Sequence, residues 1–306
     1  MAATKKKHII NKVDLFPDLE DYGGKPYLFQ ITGPRGGMRC YQRPGSLSPL
    51  WSVTTILGQI VAKPALMNWY NKMGREAVAE HLTSVVGQTL TPEILELALR
   101  EAGSRPEKSK QEAANLGIKA HELISTYINK RIEKDSSSYV DVPDDLNSVW
   151  DAFMEWERES DIKKYLKTEF ACFSTSYKYA GSIDALAQTS SGKFMVIDWK
   201  TSKSLYPEHA LQVTAYANAM IYPLRQYYGL PETWPAWDYI EPWVIRLGKE
   251  DAQFEAKQVT DPLLALNSFL NGIEMWYGLG LPGLTPKAKK DLEDYFELPD
   301  NLPSVW

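Results

Sequence analysis

Y-A-G-S-I-D (Tyr179 to Asp184) and F-M-V-I-D-W-K-T (Phe194 to Thr201) stand on either side of Ser190-Ser191-Gly192. Both flanks are rich in apolar and β-branched residues, and the segment between them has the composition of a three-residue hairpin loop with glycine at the left-handed position. The loop sets the register: with Thr189 facing Lys193, Asp184 falls opposite Asp198. Cross-strand neighbours have Cβ atoms ~5 Å apart, and like charges at that spacing are destabilising unless compensated. A divalent cation is the natural compensation. Side chains alternate along a strand, so Lys200 shares the face of Asp198 while Ile197 and Trp199 point to the other. An acid on one strand, with an acid and a lysine two residues apart on the next, can hold a metal and a water beside a scissile bond.

The D-x-K spacing is common by chance. Asp161 and Lys163 repeat it, and Glu241, Glu255 and Lys257 repeat the interval of fourteen between Asp184 and Asp198. Context separates them. Asp161 sits at a helix end, and A-Q-F-E-A-K-Q-V alternates like a half-exposed strand, whereas K-F-M-V-I-D-W-K is apolar with its charges only at the end.

Outward from the hairpin, Thr168 to Ser176 reads as a third strand, completing an antiparallel meander, and Glu208 to Tyr228 as the next helix. On that helix Gln212 and Tyr216 lie four apart, hence on one face, and read equally well as ordinary helix surface. Glu169 opens the first strand as a solvated charge or an outer carboxylate, the former preferred. Upstream, Gln111 to Arg131 is a long helical pattern in which Gly117 precedes His121 by one turn. A small residue there would let the helix approach the sheet and present the imidazole. Two carboxylates and a neutral imidazole make a mixed nitrogen and oxygen site suited to magnesium or manganese. Thr54 and Thr55, with Thr201, Ser202 and Lys203 just past the strand, are candidate phosphate contacts, equally readable as capping and turn chemistry.

Elsewhere the pattern predicts a hairpin of Tyr27 to Ile31 with Met38 to Gln42, and helices at Ala65 to His81, Pro92 to Ala102 and Asp144 to Asp161. Between the second of these and the Gln111 helix, Gly103 to Lys110 reads as a loop. A hairpin around Gly248 and helices at Pro262 to Tyr277 and Pro286 to Phe296 follow. The fold class is α/β: a central mixed sheet with an antiparallel meander, flanked by helices. Residues 1–110 read as an N-terminal hairpin and helical extension packed on a core of residues 111–306 and contacting the substrate.

The composition, 44% hydrophobic and 24% charged, is that of a globular chain, and no apolar run reaches the ~20 residues of a membrane span. The first residues, M-A-A-T-K-K-K-H, lack the apolar core of a secretory signal; three lysines there read as a solvated tail. Two cysteines, Cys40 and Cys172, exclude a four-cysteine zinc or iron–sulfur site and fit a reducing cytoplasm. A net charge of −5 confines any nucleic-acid binding to local patches.

The order G-I-K-A-H (Gly117 to His121), G-S-I-D (Gly181 to Asp184), I-D-W-K-T (Ile197 to Thr201) and Q-V-T-A-Y (Gln212 to Tyr216) resembles the RecB-like branch of the PD-(D/E)XK nucleases. That resemblance implies a restriction-endonuclease-like core and metal-dependent hydrolysis of DNA. It implies that His121, Asp184 and Asp198 hold the metal, that Lys200 acts on the attacking water, and that Gln212 and Tyr216 complete the site. S-V-T-T-I-L (Ser52 to Leu57) followed by K-P-A-L-M-N-W-Y is similar to the group containing the mitochondrial genome maintenance exonuclease and its bacteriophage relatives, which implies an exonuclease preferring single-stranded DNA or free ends. Trp51, Trp69 and Tyr70 are aromatic candidates for stacking on bases, and equally for the core. A sequence- or structure-specific endonuclease and a non-catalytic DNA-binding protein are the alternatives.

Overall fold

The computed structural model describes residues 29–32, 39–42, 49–133 and 139–280. The expected helix at Pro286 to Phe296, the basic N-terminal residues, and Tyr27 and Met38 of the expected hairpin lie outside them. The chain divides into two compact units: residues 62–120, and a larger unit joining the residues up to Val61 with those from His121 onward. The sequence boundary at residue 110 therefore falls inside the smaller unit, and the N-terminal strands belong to the larger one.

The larger unit begins with three short strands, β1 (Phe29–Thr32), β2 (Arg39–Gln42) and β3 (Leu50–Ser52), and a helix α1 (Val53–Ile60). The smaller unit is built from α2 (Pro64–Ser84) and the first part of α3 (Pro92–Ile132). Then come α4 (Asn147–Glu159), the strands β4 (Ile162–Ser174), β5 (Tyr179–Thr189) and β6 (Phe194–Lys200), and α5 (Pro207–Tyr228). The chain continues through β7 (Ile240–Leu247), β8 (Phe254–Gln258) and α6 (Pro262–Gly278).

The eight strands form one mixed sheet in the order β1-β2-β3-β5-β6-β7-β8, with β4 pairing β5. The meander is as expected. β4 and β6 both run antiparallel to β5, the register passes through Ala185↔Ile197 and Gln188↔Phe194, and Gly192 closes the loop at φ +87°. The helix α5 then returns the chain so that β7 lies parallel to β6, and the hairpin at Gly248 adds β8 antiparallel.

β5 is the strand that positions the site. β4 covers one of its edges. On the other, β6 pairs Ala185 to Gln188, and β3 pairs only Tyr179 and Ala180, in parallel. Residues 181–184 are left between the two without a ladder partner on that edge among the described residues. Both faces of the sheet are covered. On one, Phe194 and Val196 pack with Val213 and Ala217 of α5, Ile56 of α1 and Phe269 of α6. On the other, Trp199 meets Phe153 and Trp156 of α4, ring centroids 5.6 and 4.9 Å away. Trp199 thus points away from Asp198 as alternation requires.

Two elements depart from expectation, the first being β4, which starts at Ile162 where Thr168 was expected. In the second, Gly103 to Lys110 is not a loop: α3 runs unbroken from Pro92 to Ile132 with Pro106 inside it. An interior proline costs a helix ~3 kcal/mol, which sequence alone reads as a break. Here Pro106 is buried and α2 runs alongside the turn that holds it. Arg105 pairs Glu80 at 2.6 Å, Glu101 meets His81 at 3.3 Å, and the Tyr70 hydroxyl donates to Glu107 at 3.0 Å. Gly74 lets the two backbones close up, its Cβ position 3.4 Å from the Ala102 carbonyl.

Candidate functional site

The candidate residues come together where β5 is bare. Thr168 and Phe170 of β4 pair Ala185 and Ile183 of β5, so the residues between them, Glu169 and Asp184, face each other. Glu169 has φ +46°, a left-handed backbone that non-glycine residues adopt at a cost of ~1–2 kcal/mol. Beside it alternation breaks. Ile183 and Leu186, three apart, both join the core on the α5 side, where a regular strand would send them to opposite faces. Thr168 fastens the distorted segment, its hydroxyl donating to the Asp184 carbonyl at 2.6 Å.

His121 reaches this point from the last three turns of α3. Ile124 and Ile128 are buried there, and Tyr127 packs edge-on against Trp150 and Phe153 of α4 at 5.3 and 5.6 Å. The imidazole Nδ1 lies 3.4 Å from Asp184 Oδ1 and 3.6 Å from Glu169 Oε1. Asp184 Oδ2 accepts the Trp199 N–H at 2.7 Å, tying the carboxylate across to the end of β6.

Asp198 is almost wholly buried, and its Oδ2 is ion-paired with Lys200. Gln212 Nε2 donates both to Asp198 Oδ1 and to the Tyr216 hydroxyl, each at 3.0 Å. The shared helix face of Gln212 and Tyr216 is therefore turned to the site. Tyr216 owes its seat to Gly181, where a Cβ would stand 3.0 Å from the tyrosine Cζ and 3.1 Å from Cδ1.

The charges answer one another. Burial opposes ionisation of Asp184, but His121, then Lys200 and the Trp199 N–H, hold its carboxyl below the ordinary value. Burial also works against charge on His121, yet Asp184 and then Glu169 raise its pKa to about 10. Burial lifts Asp198 above the usual carboxylate range; Lys200 pulls it back and the Asp184 charge adds to the rise.

His121, Glu169 and Asp184 each bring a ligand atom within 4.8 Å of the others. One imidazole nitrogen and two carboxylate oxygens suit a hard divalent cation that keeps several waters, as magnesium and manganese do. The expected trio contained Asp198 in place of Glu169. Glu169, read from sequence as a solvated charge, is the acid the structure gathers with His121 and Asp184. Asp198 stands alongside, engaged by Lys200 and Gln212. A sequence signal for Glu169 existed: the four-residue turn Thr175 to Lys178 sets Ser174 against Tyr179, and counting back along both strands puts Glu169 opposite Asp184.

The expected phosphate contacts lie elsewhere in local structure. The Thr55 hydroxyl is bonded to the backbone of Arg39, accepting at 2.8 Å and donating at 3.1 Å; Thr54 is exposed and bonded to Ser52. Ser202 donates to the Ser204 carbonyl, Thr201 is half-buried and Lys203 exposed. The repeated spacings resolve into ion pairs, Glu241 with Lys193 at 2.8 Å and Glu255 with Lys257 at 2.7 Å. No protein-family model matches the chain, and no curated protein matches it. No helix among the described residues is long and apolar enough to cross a membrane.

Proposed function

We propose that this protein is a metal-dependent nuclease of the PD-(D/E)XK type that hydrolyses phosphodiester bonds in DNA, acting on single strands or free ends. The observation that carries the proposal is the convergence at one gap in the sheet of a His121–Glu169–Asp184 donor set and an Asp198–Lys200 pair. Three donors on one side and a half-buried ammonium on the other bracket a position for a phosphate and a water. A bound divalent cation would supply charge neutralisation of the phosphate and acidification of water.

The chain's own groups do the rest. Lys200, fixed by Asp198, presents its ammonium where charge develops on the phosphate oxygens and orients the attacking water. Gln212, itself aligned by Tyr216, holds Asp198 in one rotamer. His121 and Glu169 place their donor atoms beside Asp184, whose carboxylate the Trp199 N–H keeps from swinging away.

The test uses DNA labelled at one end, single- and double-stranded, with magnesium, manganese or chelator. Progressive shortening that requires the divalent ion and is lost by at least about 100-fold in Lys200→Ala is expected, the size of effect that removing one positioned charge stabiliser has elsewhere. Full activity in Lys200→Ala, or undiminished activity in chelator, would refute the assignment. Discrete internal fragments would replace the exonuclease reading with an endonuclease one.

A further inference from the structure

Some distance from the site, the larger unit carries a cleft of about 560 Å³ at the meeting of α3, α4 and the start of β4. Four cations line it, Arg131, Arg158, Lys163 and Lys164, against a single acid, Glu157. That acid is already engaged: it is nearly buried, accepts the Tyr127 hydroxyl at 2.7 Å and pairs Arg131 at 3.3 Å. Among the described residues Arg158 is paired with Glu155, at 3.8 Å and largely exposed, a pairing worth little. Lys163 and Lys164 are exposed and make no ion pair among the described residues. The cleft is positive in a chain whose net charge is −5.

Two further features make it a built site. Consecutive residues of a regular strand face opposite ways, yet Lys163, Lys164 and Tyr165 all line this one cleft. The cause is a register shift in the β4–β5 ladder between Ile162 and Lys164, the kind of bulge that re-aims side chains. Second, the Tyr165 hydroxyl is buried in the same lining, facing the Glu157 carboxylate without a hydrogen bond of good geometry. Tyr165 is the one ring in the lining and is itself buried, so the cleft reads phosphate charge and offers no exposed face to a base.

We propose that this cleft is a phosphate-binding subsite for the DNA strand whose scissile phosphate lies at the His121–Glu169–Asp184 site, a proposal that rests on the nuclease reading. The spacing suits a strand. From His121 to Arg131 along α3 is ten residues, ~15 Å at the helical rise, and from Glu169 to Lys164 along β4 is ~16 Å. That spans about four to five phosphates at the ~3.4 Å spacing of a stacked strand, fewer if it is stretched.

The test is Lys163→Ala/Lys164→Ala in the full chain, two exposed side chains whose loss leaves the core intact. Binding of a fluorescein-labelled single strand of about 12 nucleotides is followed by anisotropy in chelator across a salt series. The variant is expected to bind about 10-fold more weakly at low salt, with a log K against log salt slope shallower by ~1.4, two contacts at ~0.7 each. A labelled dinucleotide, too short to span the interval, is expected to bind both proteins equally. Unchanged affinity and slope for the longer strand would overturn the proposal. So would calorimetric binding of AMP that vanishes in the variant, since it would assign the cleft to a free nucleotide. Because binding is read without divalent ions, this pattern with no cleavage in magnesium would refute the nuclease reading and leave the subsite standing.

Discussion

Replacing Gly181 by alanine isolates how the second layer of the site is held. The added Cβ would lie 3.0 and 3.1 Å from two carbons of the Tyr216 ring and closer still to a third. Carbon atoms pack at ~3.5–4.0 Å, so clearing the nearest ring carbon takes a retreat of more than ~1 Å. Tyr216 has nowhere to go: it is 3% exposed and packed between the sheet and the core of α5. Forced overpacking of this kind costs ~1–3 kcal/mol. At the size of this chain that lowers the melting temperature by roughly 2–10 °C. The displacement also travels, because the Tyr216 hydroxyl shares Gln212 with Asp198. Catalysis should fall ~10–100-fold, as when a partner that orients a site residue is lost, while manganese affinity at His121, Glu169 and Asp184 stays near wild type.

Three measurements decide it. Thermal unfolding reports the strain, calorimetry with manganese reports the donor set, and cleavage rate reports Asp198. A companion variant, Tyr216→Leu in the Gly181→Ala background, removes the ring and should restore part of the stability but none of the activity. If Gly181→Ala unfolds at the wild-type temperature and cleaves at the wild-type rate, the Tyr216–Gln212–Asp198 chain is not what aligns the site.

Glu169→Gln keeps the shape of the side chain and removes its charge; manganese affinity is expected to fall by about 10-fold or more, and calorimetry showing no change would return the ligand role to Asp198. Phe153→Ala empties the space against Trp199 and should cost ~3–5 kcal/mol, read from urea denaturation as a lower midpoint at unchanged slope. Burial pushes the Cys40 thiol from its ordinary 9.0 up to about 12, and Cys172 is raised further. Neither should react with iodoacetamide in the native protein at pH 8, while both are alkylated in urea; a mass shift without denaturant would contradict their burial. With folded-state pKa values raised, the stability these thiols contribute is whole below pH 9 and is lost as pH climbs through 12, since the unfolded chain releases its protons first.

The parts of this molecule legible from sequence are those governed by short-range rules. Ser190-Ser191-Gly192 set the β5–β6 register because a three-residue loop needs its glycine at positive φ, and everything up to Ala185↔Ile197 follows by counting. The facing of Trp199 away from Lys200 is likewise only alternation. What stayed hidden required knowing a distant neighbour. Pro106 reads as a helix break until α2 is there to hold Arg105 and Glu107. Thr55 reads as a free hydroxyl until β2 brings the Arg39 backbone to it. The β4 bulges are silent in sequence, yet one of them turns Lys163 and Lys164 into a single cleft.

Glu169 shows why the site itself was harder to read than the fold. A strand residue flanked by core positions, in K-T-E-F-A-C-F, should on alternation alone point to solvent, and its side chain is indeed 40% exposed. Its relevance comes from breaking the rule that was used to read it: the left-handed backbone at φ +46° coincides with the loss of alternation between Ile183 and Leu186. Strain of ~1–2 kcal/mol persists only where the surroundings impose it. Here the Thr168 hydroxyl, the β4–β5 ladder on both sides and the unpaired edge of β5 all impose it at one point. The same distortion that makes Glu169 an exception in its strand is what sets its carboxylate beside His121 and Asp184. Relieving it therefore predicts opposite effects on two observables. Glu169→Gly should match or exceed wild-type stability, because glycine accepts that backbone freely, yet lose manganese affinity as Glu169→Gln does. A variant that lost both would show that the carboxylate, and not the backbone, holds the strands in place.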